Sequence, residues 1–487
     1  MAVHVGVMAV GRLGIDFRTS YICMVRLSLG VIILAIAVAA CTTATKPPVA
    51  SEPLRQSAVP LTLKLNDIRS LPLNAQTSVQ KFYEMSQFTM VWMDSFAVKA
   101  DADSLVRFIN RSEELGLVAE DYHSTRINTL MRDKFDHQNA AAIDALLTDS
   151  FITLWYHLKN GRVEKKTFAR IKLDSLELTD AREALKSALA THSITALLRS
   201  REPQNPEYSV IKNSLVKILQ QNLQDTTVAR RRDQLIASME RWRWEPPIPK
   251  RYIAVNVPSF QLKVVEDDSI IMQSRVIIGK PETPTPNIKS VVQSFIIYPY
   301  WHVPRSILKE ILPSVQADTN YLRKHNYQVI DSKGKVIKNS AVDWKKYTPE
   351  NFPYVLRQRE GSENTMGVIK FVFPNNYGVY LHDTNARRLF AKSDRALSHG
   401  CIRVQKAVDL AKYLAKDDDT YVDAADLEQY LMVQKRLEVK IVRPIPVHLN
   451  YFTVEQEGDT VKFYKDLYKK DRAMVDSINR VKPLVLL

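Results

Sequence analysis

The sequence predicts an α+β protein in which a helical domain precedes a mostly β domain with an inserted subdomain. Apolar residues recur at helical spacing between about residues 76 and 247, as Val79 and Phe82 show. Between about residues 248 and 455, short apolar runs separated by turn residues replace this pattern, which is typical of strands. A helical, charged pattern interrupts these strands at about residues 305–366 and predicts an insertion.

The N-terminus predicts an exported protein. Leu27 to Ala40 is an apolar run, preceded by Arg26, that is short for a membrane span and fits the hydrophobic region of a secretory signal. The run ends Val-Ala-Ala-Cys41, which resembles the lipobox of bacterial lipoproteins, where the cysteine becomes the acylated N-terminus. Residues 1–41 are therefore predicted to be a leader, with Cys41 as the lipidation site.

Two other interpretations of the leader stay open, an uncleaved signal anchor and an ordinary cleaved signal. The start is also open, because Met24 would begin a compact leader as well as Met1 does. Thr42 after the lipobox cysteine favours outer-membrane sorting in a Gram-negative cell, so we expect a periplasmic protein anchored to a membrane. Residues 42–75 begin rich in Thr, Ser and Pro and are predicted to be a tether.

Charge and cysteine content narrow the class of protein. The net charge of +15 would suit nucleic acid, but no basic motif with interleaved aromatic residues is present, so an anionic membrane surface or cell wall is the expected partner. Of three cysteines, Cys23 falls in the leader and Cys41 is predicted to be lipidated. Cys401 is then the remaining free thiol, and no disulfide framework is expected.

In the helical domain, the pattern from Asn139 to Lys159 predicts a long helix that stops at Asn160-Gly161. The domain ends with the stretch Met239 to Pro247. Its residues Trp242 and Trp244 are predicted to pack at the junction with the second domain.

In the β domain, Arg251–Val257 and Phe260–Val265 are predicted strands, and Asp267-Asp268 is a predicted turn. Lys280–Pro286 carries three prolines and predicts a rigid loop. Val439 to Glu455 predicts the last strands, and residues 456–487 are a C-terminal extension.

The residues with catalytic potential are concentrated between Val379 and Val404. Tyr380 and His382 alternate with apolar neighbours, so both side chains can lie on one face of a strand. An extended Ser-His-Gly-Cys-Ile-Arg run would place three further side chains on one face: His399, Cys401 and Arg403. Thiol catalysis requires such neighbours, because the thiolate attacks after an imidazole has accepted its proton.

Each of these residues also has a purely structural interpretation. A lone cysteine is often a small buried hydrophobic residue, and a lone histidine often belongs to the core. Two histidines and a cysteine could also be zinc ligands. Spacing alone does not choose between His382 and His399 as the base.

The His-Asp-Thr and Ser-His-Gly-Cys-Ile-Arg runs, in register over 22 residues, resemble the active-site signature of the L,D-transpeptidases with a YkuD-type catalytic domain. The resemblance implies that Cys401 is the nucleophile and His382 the proton donor and acceptor. It implies supporting roles for Ser398, His399, Gly400, Arg403 and Tyr380. Backbone N–H groups around Gly400 and Cys401 would form the oxyanion hole, with neither metal nor cofactor, and carbapenems would acylate the thiol.

The resemblance covers the chain from about residue 76 to the end. The helical domain is similar to the scaffold domain of the larger Gram-negative members, and the insertion at 305–366 resembles their substrate-capping subdomain. The Lys280–Pro286 loop is similar to a Thr-Pro loop near the family's site. One feature differs: about thirty residues separate Tyr208 from Met239, too few for the peptidoglycan-binding repeat common in that subgroup.

The resemblance implies formation of 3-3 cross-links between peptidoglycan stem peptides. Cys401 would attack a tetrapeptide donor, release D-alanine and transfer the acyl group to a diaminopimelate acceptor. Other acceptors remain open, because water would give a carboxypeptidase, a protein amine an anchoring enzyme and a D-amino acid an exchange enzyme. A non-catalytic, peptidoglycan-associated lipoprotein is the alternative from another class.

Overall fold

The computed structural model describes residues 61–94, 97–133, 136–416 and 422–480. The predicted leader, with Cys23 and Cys41, and the first part of the predicted tether, residues 42–60, lie outside these ranges. Within the described ranges, no helix combines the length and the apolar character needed to cross a membrane.

The described part of the helical domain contains nine α-helices and one short hairpin. The helices are α1 Leu65–Arg69, α2 Gln76–Met85, α3 Ala100–Asn110, α4 Ser124–Leu130, α5 His137–Asn160, α6 Thr179–Thr191, α7 Ile194–Arg199, α8 Pro206–Leu219 and α9 Thr226–Arg243. The hairpin pairs β1 Met93–Asp94 with β2 Ala97–Val98.

Helix α5 forms the centre of this domain, and its limits follow from its two ends. Asp136 caps the first turn by accepting a hydrogen bond from the backbone N–H of Asn139 at 2.8 Å. Gly161 follows the last turn with a φ of +82°, and a Cβ there would lie 2.5 Å from Oε1 of Glu240. The helix stop predicted at Asn160-Gly161 is therefore confirmed.

Residues 61–75 belong to the folded helical domain rather than to the tether. They contain α1, and Leu63, Ile68 and Leu71 are buried in the same core as α5. The tether prediction is therefore wrong over these residues. Leucine and isoleucine recur often enough in this segment to bury an apolar face, whereas the Thr, Ser and Pro of the tether composition precede it.

The strands of the second domain follow one another from residue 251 onward. They are β3 Arg251–Asn256, β4 Gln261–Glu266, β5 Ser269–Gly279, β6 Ile288–Ile297, β7 Trp301–His302, β8 Tyr327–Ile330, β9 Val336–Ile337, β10 Val355–Gln358, β11 Ile369–Val372, β12 Leu381–His382, β13 Ala396–Ser398, β14 Ile402–Val404, β15 Leu437–Asn450, β16 Val454–Glu457 and β17 Thr460–Phe463. The helices are α10 Arg305–Ala317, α11 Tyr321–Lys324, α12 Ala407–Lys416, α13 Ala424–Met432 and α14 Lys470–Asn479.

Nine of these strands form one sheet in the order β13-β5-β14-β12-β11-β6-β15-β3-β4. Because β4 also pairs with β5, the sheet closes on itself, and we call it the catalytic barrel. Its interior is apolar, with Phe295, Phe371 and Leu381 among the fully buried residues. The predicted α+β class, a helical domain followed by a mostly β domain, is confirmed.

The insertion at 305–366 forms a subdomain with its own core. Its sheet has the order β7-β10-β8-β9, and Leu312, Trp344 and Phe352 are buried beside it. The helical pattern predicted for the insertion holds only for α10 and α11. Residues 327–358 supply three strands instead, because β8 and β10 pair antiparallel and bury Val329 and Leu356 together.

The C-terminal extension returns to the helical domain. The hairpin of β16 and β17 packs on α8, and α14 packs on α9 with Met474 and Ile478 buried beside Ala237. At the junction Trp242 stacks on Phe452 with ring centroids 4.9 Å apart. Trp244 stacks on Phe168 of the helical domain at 6.3 Å, so the predicted packing across the junction is confirmed for Trp242.

Candidate active site

Three neighbouring strands of the catalytic barrel bring the candidate residues together. Strand β12 lies between β11, to which it is antiparallel, and β14, to which it is parallel. The register pairs Lys370 with His382 and His382 with Arg403. Residues directly opposite each other point to the same side of a sheet, so these three side chains share one face.

The Ser398–Arg403 segment alternates as an extended chain should. Its buried members are Ser398, Gly400 and Ile402, and its more exposed members are His399, Cys401 and Arg403. Gly400 has a φ of +113°, which residues with a side chain rarely adopt. Its backbone conformation therefore explains why glycine precedes the thiol.

The hydroxyl of Ser398 fixes the loop that carries Cys401. Its Oγ donates to the carbonyl of Cys401 at 2.6 Å and accepts from the N–H of Gly400 at 3.1 Å. The Gly400 N–H, predicted to take part in an oxyanion hole, is therefore engaged by Ser398 in this geometry. The N–H of Cys401 is the better candidate for that role.

Cys401 is half-buried, and it is the free cysteine of the described chain. Burial raises the pKa of its thiol above the usual value, while hydrogen bonds from the backbone and side chain of Tyr380 oppose the shift. The positive charges of Lys370 and Arg403 also favour the thiolate. The thiol is thus protonated at rest, in surroundings that can stabilise its anion.

His382 is buried and neutral. Burial, followed by the charge of Arg403, lowers its pKa to about 3. Its Nδ1 lies 2.5 Å from the carbonyl oxygen of Asp383, a contact that fixes the ring when Nδ1 carries the proton. The imidazole is therefore unprotonated at neutral pH, and it becomes a stronger base when negative charge develops beside it.

The structure does not join His382 to Cys401 by a hydrogen bond among the residues it describes. Tyr380 lies beside both, because its ring centroid is 5.6 Å from that of His382 and its side chain lowers the pKa of the thiol; the thiol itself donates to the carbonyl of Gly378 at 3.9 Å. Direct proton transfer from Cys401 to His382 therefore requires a movement of side chains. Such contacts often tighten only when a substrate is bound.

His399, the second histidine of the motif, contacts the inserted subdomain. Its Nε2 lies 2.9 Å from Oε1 of Glu310 on α10. The structure therefore places His399 at the boundary between the insertion and the Ser398–Arg403 segment, which we call the catalytic loop. It favours His382 over His399 as the base, because His382 is the histidine that shares a buried face with Lys370 and Arg403.

Arg403 is mostly buried, and its Nε has no hydrogen-bond partner among the described residues. Burial lowers its pKa, but a guanidinium remains charged at any physiological pH. A buried cation with an unsatisfied donor is suited to bind an anionic group of a substrate.

Sequence reasoning missed three residues that contact the site. Lys370 lies with its Nζ 4.1 Å from the ring centroid of Tyr380, and Thr285 donates to the carbonyl of Gly400 at 2.9 Å. Glu310 contacts His399, as described above. A period-two pattern places Lys370 on a polar face of β11, but no sequence signal indicated which strand would lie beside it.

A metal site was the main alternative for a cluster of histidine and cysteine. Within the described ranges, no group of three His, Cys, Asp or Glu side chains lies close enough to hold a metal ion. His382 and His399 have separate partners, Asp383 and Glu310. The geometry therefore offers no support for joint ligation by the motif.

Two family models match this chain in sequence order. Residues 77–215 match the Scaffold domain, and residues 250–427 match YkuD, the L,D-transpeptidase catalytic domain. The chain therefore contains a YkuD L,D-transpeptidase catalytic domain preceded by a Scaffold domain. The resemblance inferred from the motif is confirmed at the level of the family.

Individual relatives are more distant. The chain is 27% identical over 423 residues to a Haemophilus influenzae protein provisionally named an L,D-transpeptidase, and the match covers 86% of this chain and 83% of that protein. Among solved structures, it is similar to Mycobacterium tuberculosis L,D-transpeptidase 1, with 13% identity, a TM-score of 0.16, and coverage of 41% of this chain and 61% of that one.

A Cys-to-Ser mutant of the Enterococcus faecium L,D-transpeptidase is similar at 12% identity and a TM-score of 0.16. The similarity covers 42% of this chain and 52% of that one. This chain therefore spans less than two thirds of both solved structures.

Proposed function

We propose that this L,D-transpeptidase forms 3-3 cross-links between peptidoglycan stem peptides through an acyl-enzyme on Cys401. The observation that carries the proposal is the pairing of β12 with β14. It brings a buried, neutral imidazole, His382, to the strand next to the thiol. The chemistry needs no cofactor, because the thiol supplies the nucleophile and the imidazole moves the proton.

The first half-reaction is acylation by a tetrapeptide donor. His382 accepts the thiol proton, and the thiolate of Cys401 attacks the carbonyl carbon between the third and fourth residues of the stem. The N–H of Cys401 stabilises the tetrahedral oxyanion. When the carbon–nitrogen bond breaks, the imidazolium returns its proton to the departing amine, D-alanine leaves, and a thioester remains.

The second half-reaction transfers the acyl group to a diaminopimelate side chain of another stem. His382 takes a proton from the attacking amine, and the new amide forms as the carbon–sulfur bond breaks. The thiolate is then reprotonated by the imidazolium. Proton transfer by a positioned imidazole contributes about 10² to 10⁴-fold to such reactions.

Charge supports a stem peptide as the substrate. Lys370 and Arg403 are partly buried cations beside the thiol, and burial lowers the pKa of each. A tetrapeptide stem carries carboxylates close to the bond that is cleaved. We expect Arg403, whose Nε lacks a partner in the described chain, to bind one of them, with Tyr380 positioning His382.

The inserted subdomain is proposed to cap the bound donor. Its helix α10 reaches the catalytic loop through Glu310 and His399. Its core also packs against Tyr380, which contacts the thiol. Closure over the site would exclude water and so favour an amine acceptor over hydrolysis.

The test is mass spectrometry of the purified protein after incubation with a tetrapeptide muropeptide, and separately with a carbapenem. We expect a covalent adduct on Cys401 with each reagent and a cross-linked dimer that has lost one D-alanine. The Cys401→Ala variant is the control and should give neither adduct nor dimer. An unchanged dimer yield from Cys401→Ala would contradict the proposal.

The same experiment identifies the acceptor. A tripeptide in place of the dimer would show that water is the acceptor and that the protein is an L,D-carboxypeptidase. No adduct from folded wild-type protein with either reagent would favour a non-catalytic lipoprotein.

We also propose that the protein is periplasmic and anchored to a membrane, more specifically the outer membrane, through an acylated Cys41. The lipobox-like sequence before Cys41 supports this proposal. The Cys41→Ala variant should appear in the soluble periplasmic fraction, whereas the wild-type protein should fractionate with membranes. Equal membrane association of both would contradict lipidation at this residue.

A further inference from the structure

The C-terminal extension contacts the Lys280–Pro286 loop, which lies next to the segment that carries Cys401. After β17 the chain passes under the Lys280–Pro286 loop, where the hydroxyl of Tyr468 donates to the carbonyl of Gly279 at 2.7 Å. The same hydroxyl accepts from the backbone N–H of Thr285 at 3.2 Å. One phenol therefore holds both ends of this loop.

The Lys280–Pro286 loop in turn holds the catalytic loop. Thr285 is fully buried, and its Oγ1 donates to the carbonyl of Gly400 at 2.9 Å and accepts from the N–H of Gly279 at 2.9 Å. The hydroxyl of Thr283 donates to the carbonyl of Ser398 at 3.2 Å. Two hydroxyls of the loop thus bind consecutive parts of the segment that carries the thiol.

The other side of the C-terminal extension is fixed to the scaffold domain. Tyr468 stacks on Tyr451 with ring centroids 5.3 Å apart, and its N–H donates to the Tyr451 hydroxyl at 2.7 Å. Asp471 pairs with Arg241 of α9 at 2.6 Å, and both side chains are buried. An ion pair with α9, followed by hydrogen bonds within the barrel, therefore connects the scaffold domain to the catalytic loop through this extension.

The bond from Thr285 to Gly400 has a direct consequence for the oxyanion. The carbonyl of Gly400 and the N–H of Cys401 belong to one peptide group, which is planar and trans. Fixing the direction of the carbonyl therefore fixes the direction of the N–H, which points the opposite way. Gly400 lacks a Cβ and so does little to restrict this peptide by itself.

We propose that Tyr468 is a positioning residue for the oxyanion hole, acting through Thr285 on the Gly400–Cys401 peptide. This inference rests on the proposed acyl transfer by Cys401. Tyr468 does not touch the thiol; it holds the loop that orients the N–H donor. The C-terminal extension is accordingly part of the machinery that prepares the site.

The test compares two reactions of the same thiol in the full-length protein. Acylation by a carbapenem passes through a tetrahedral oxyanion, whereas alkylation by iodoacetamide does not. Removing an oxyanion-hole donor lowers the catalytic rate by about 10² to 10³-fold. In Tyr468→Phe the donor remains but is less well oriented, so we expect carbapenem acylation to be about tenfold slower. Its alkylation rate should stay within about twofold of wild type, since the thiol keeps its neighbours.

Three further variants control the experiment. Tyr464→Phe removes a hydroxyl from the same extension, where it interacts with Glu455, and should acylate at the wild-type rate. Thr285→Val should slow acylation more than Tyr468→Phe does, because it removes the hydroxyl that binds Gly400 directly. Thr285→Ser retains that hydroxyl and should restore most of the rate.

Two results would overturn the inference. One is carbapenem acylation of Tyr468→Phe at the wild-type rate. The other is an equal decrease in acylation and alkylation, which would mean that Tyr468 supports the fold in general. If Tyr468→Phe is not folded, the acylation rates of Thr285→Val and Thr285→Ser decide whether the hydroxyl at position 285 orients the oxyanion donor. Equal rates in these two variants would contradict the inference. A wild-type protein that iodoacetamide alkylates but no carbapenem acylates would refute the proposed function itself, and this inference with it.

Discussion

The scaffold domain and the active site both bury ionisable side chains, but they arrange the charges in opposite ways. In the scaffold domain, Asp121 pairs with Arg162 and Arg170, and all but Arg170 are almost fully buried. Glu240 and Arg243 form a second pair at 2.9 Å with neither side chain exposed. Both of these buried carboxylates have an arginine beside them, whereas the buried Asp144 accepts hydrogen bonds from Tyr83 and from the backbone.

The active site places a neutral imidazole between two cations, Lys370, which also feels the charge of Glu438, and Arg403. Lys370, His382 and Arg403 lie side by side on one face of the catalytic barrel, next to a thiol that is protonated at rest. Burial alone would raise the pKa of Asp121, but Arg162 and Arg170 hold it below its usual value. At the active site, burial and neighbouring cations instead combine to lower the pKa of His382 to about 3.

The difference indicates what each set of buried groups does. Paired charges satisfy one another, so the scaffold domain uses them to fix how its helices meet α9. Partly buried cations and a neutral imidazole lower stability, and they persist where a reaction needs them. We expect the active-site set to bind an anion that forms during turnover or arrives with the substrate.

The largest expected effect comes from removing the imidazole at the site. His382→Gln should lower the rate of carbapenem acylation by about 10² to 10⁴-fold, since a positioned base contributes that factor. His448→Gln is the matched control, because His448 is also a buried histidine of the barrel whose pKa burial lowers, in this case to about 4. Its rate should stay within about twofold of wild type. Activity that survives in His382→Gln but is lost in His399→Gln would make His399 the base.

The next largest effect concerns the paired charges of the scaffold domain. Asp121→Asn leaves Arg162 buried without its carboxylate, so the free energy of unfolding should fall by about 3–5 kcal/mol. Asp180→Asn is the control, because the Asp180 side chain is 63% exposed and pairs with Arg201 at 3.5 Å. It should cost at most about 1 kcal/mol.

Chemical denaturation measures both variants, and the carbapenem acylation rate of the folded protein is the second readout. At denaturant concentrations below its unfolding transition, Asp121→Asn should be acylated at the wild-type rate. Equal stability losses in the two variants would contradict the view that burial makes the Asp121 pairs important.

The smallest of these effects is a pH dependence shared by both regions. His157 in the scaffold domain and His382 at the site are both buried, and burial followed by an arginine charge lowers the pKa of each to about 3. The unfolded chain binds a proton near pH 6.5, so acid favours unfolding. Their stability contribution is complete above pH 6.5 and is lost as the pH falls toward 3.

Between pH 6.5 and 5, each histidine should account for a loss of about 2 kcal/mol in the free energy of unfolding. In His382→Gln, the free energy of unfolding should fall by about 2 kcal/mol less between these two pH values than it does in the wild type. Denaturant unfolding at pH 6.5 and pH 5 measures this difference. An identical pH dependence in wild type and variant would show that His382 does not carry this depressed pKa.

Much of the fold and the site was predictable because it depends on short-range patterns. The change from helical to strand periodicity near residue 248 fixed the fold class, and Asn160-Gly161 predicted the end of α5 correctly. The alternation in Ser398–Arg403 placed Cys401 and Arg403 on the more exposed face, as observed. The tether prediction failed over residues 61–75, because burial depends on a core that forms elsewhere in the chain.

By itself, the sequence determined that a helical domain precedes a mostly β domain and that α5 ends at Asn160-Gly161, and it predicted Cys401 and His382 as the reacting pair. Backbone propensity, side-chain periodicity and residue chemistry act within a few neighbouring residues, and one chain displays them directly. Tertiary structure alone decided that β12 lies beside β14, that Glu310 meets His399, and that Tyr468 supports the loop under Gly400. These contacts join segments far apart in the chain, and their partners are set by the closure of the barrel and the packing of the C-terminal extension.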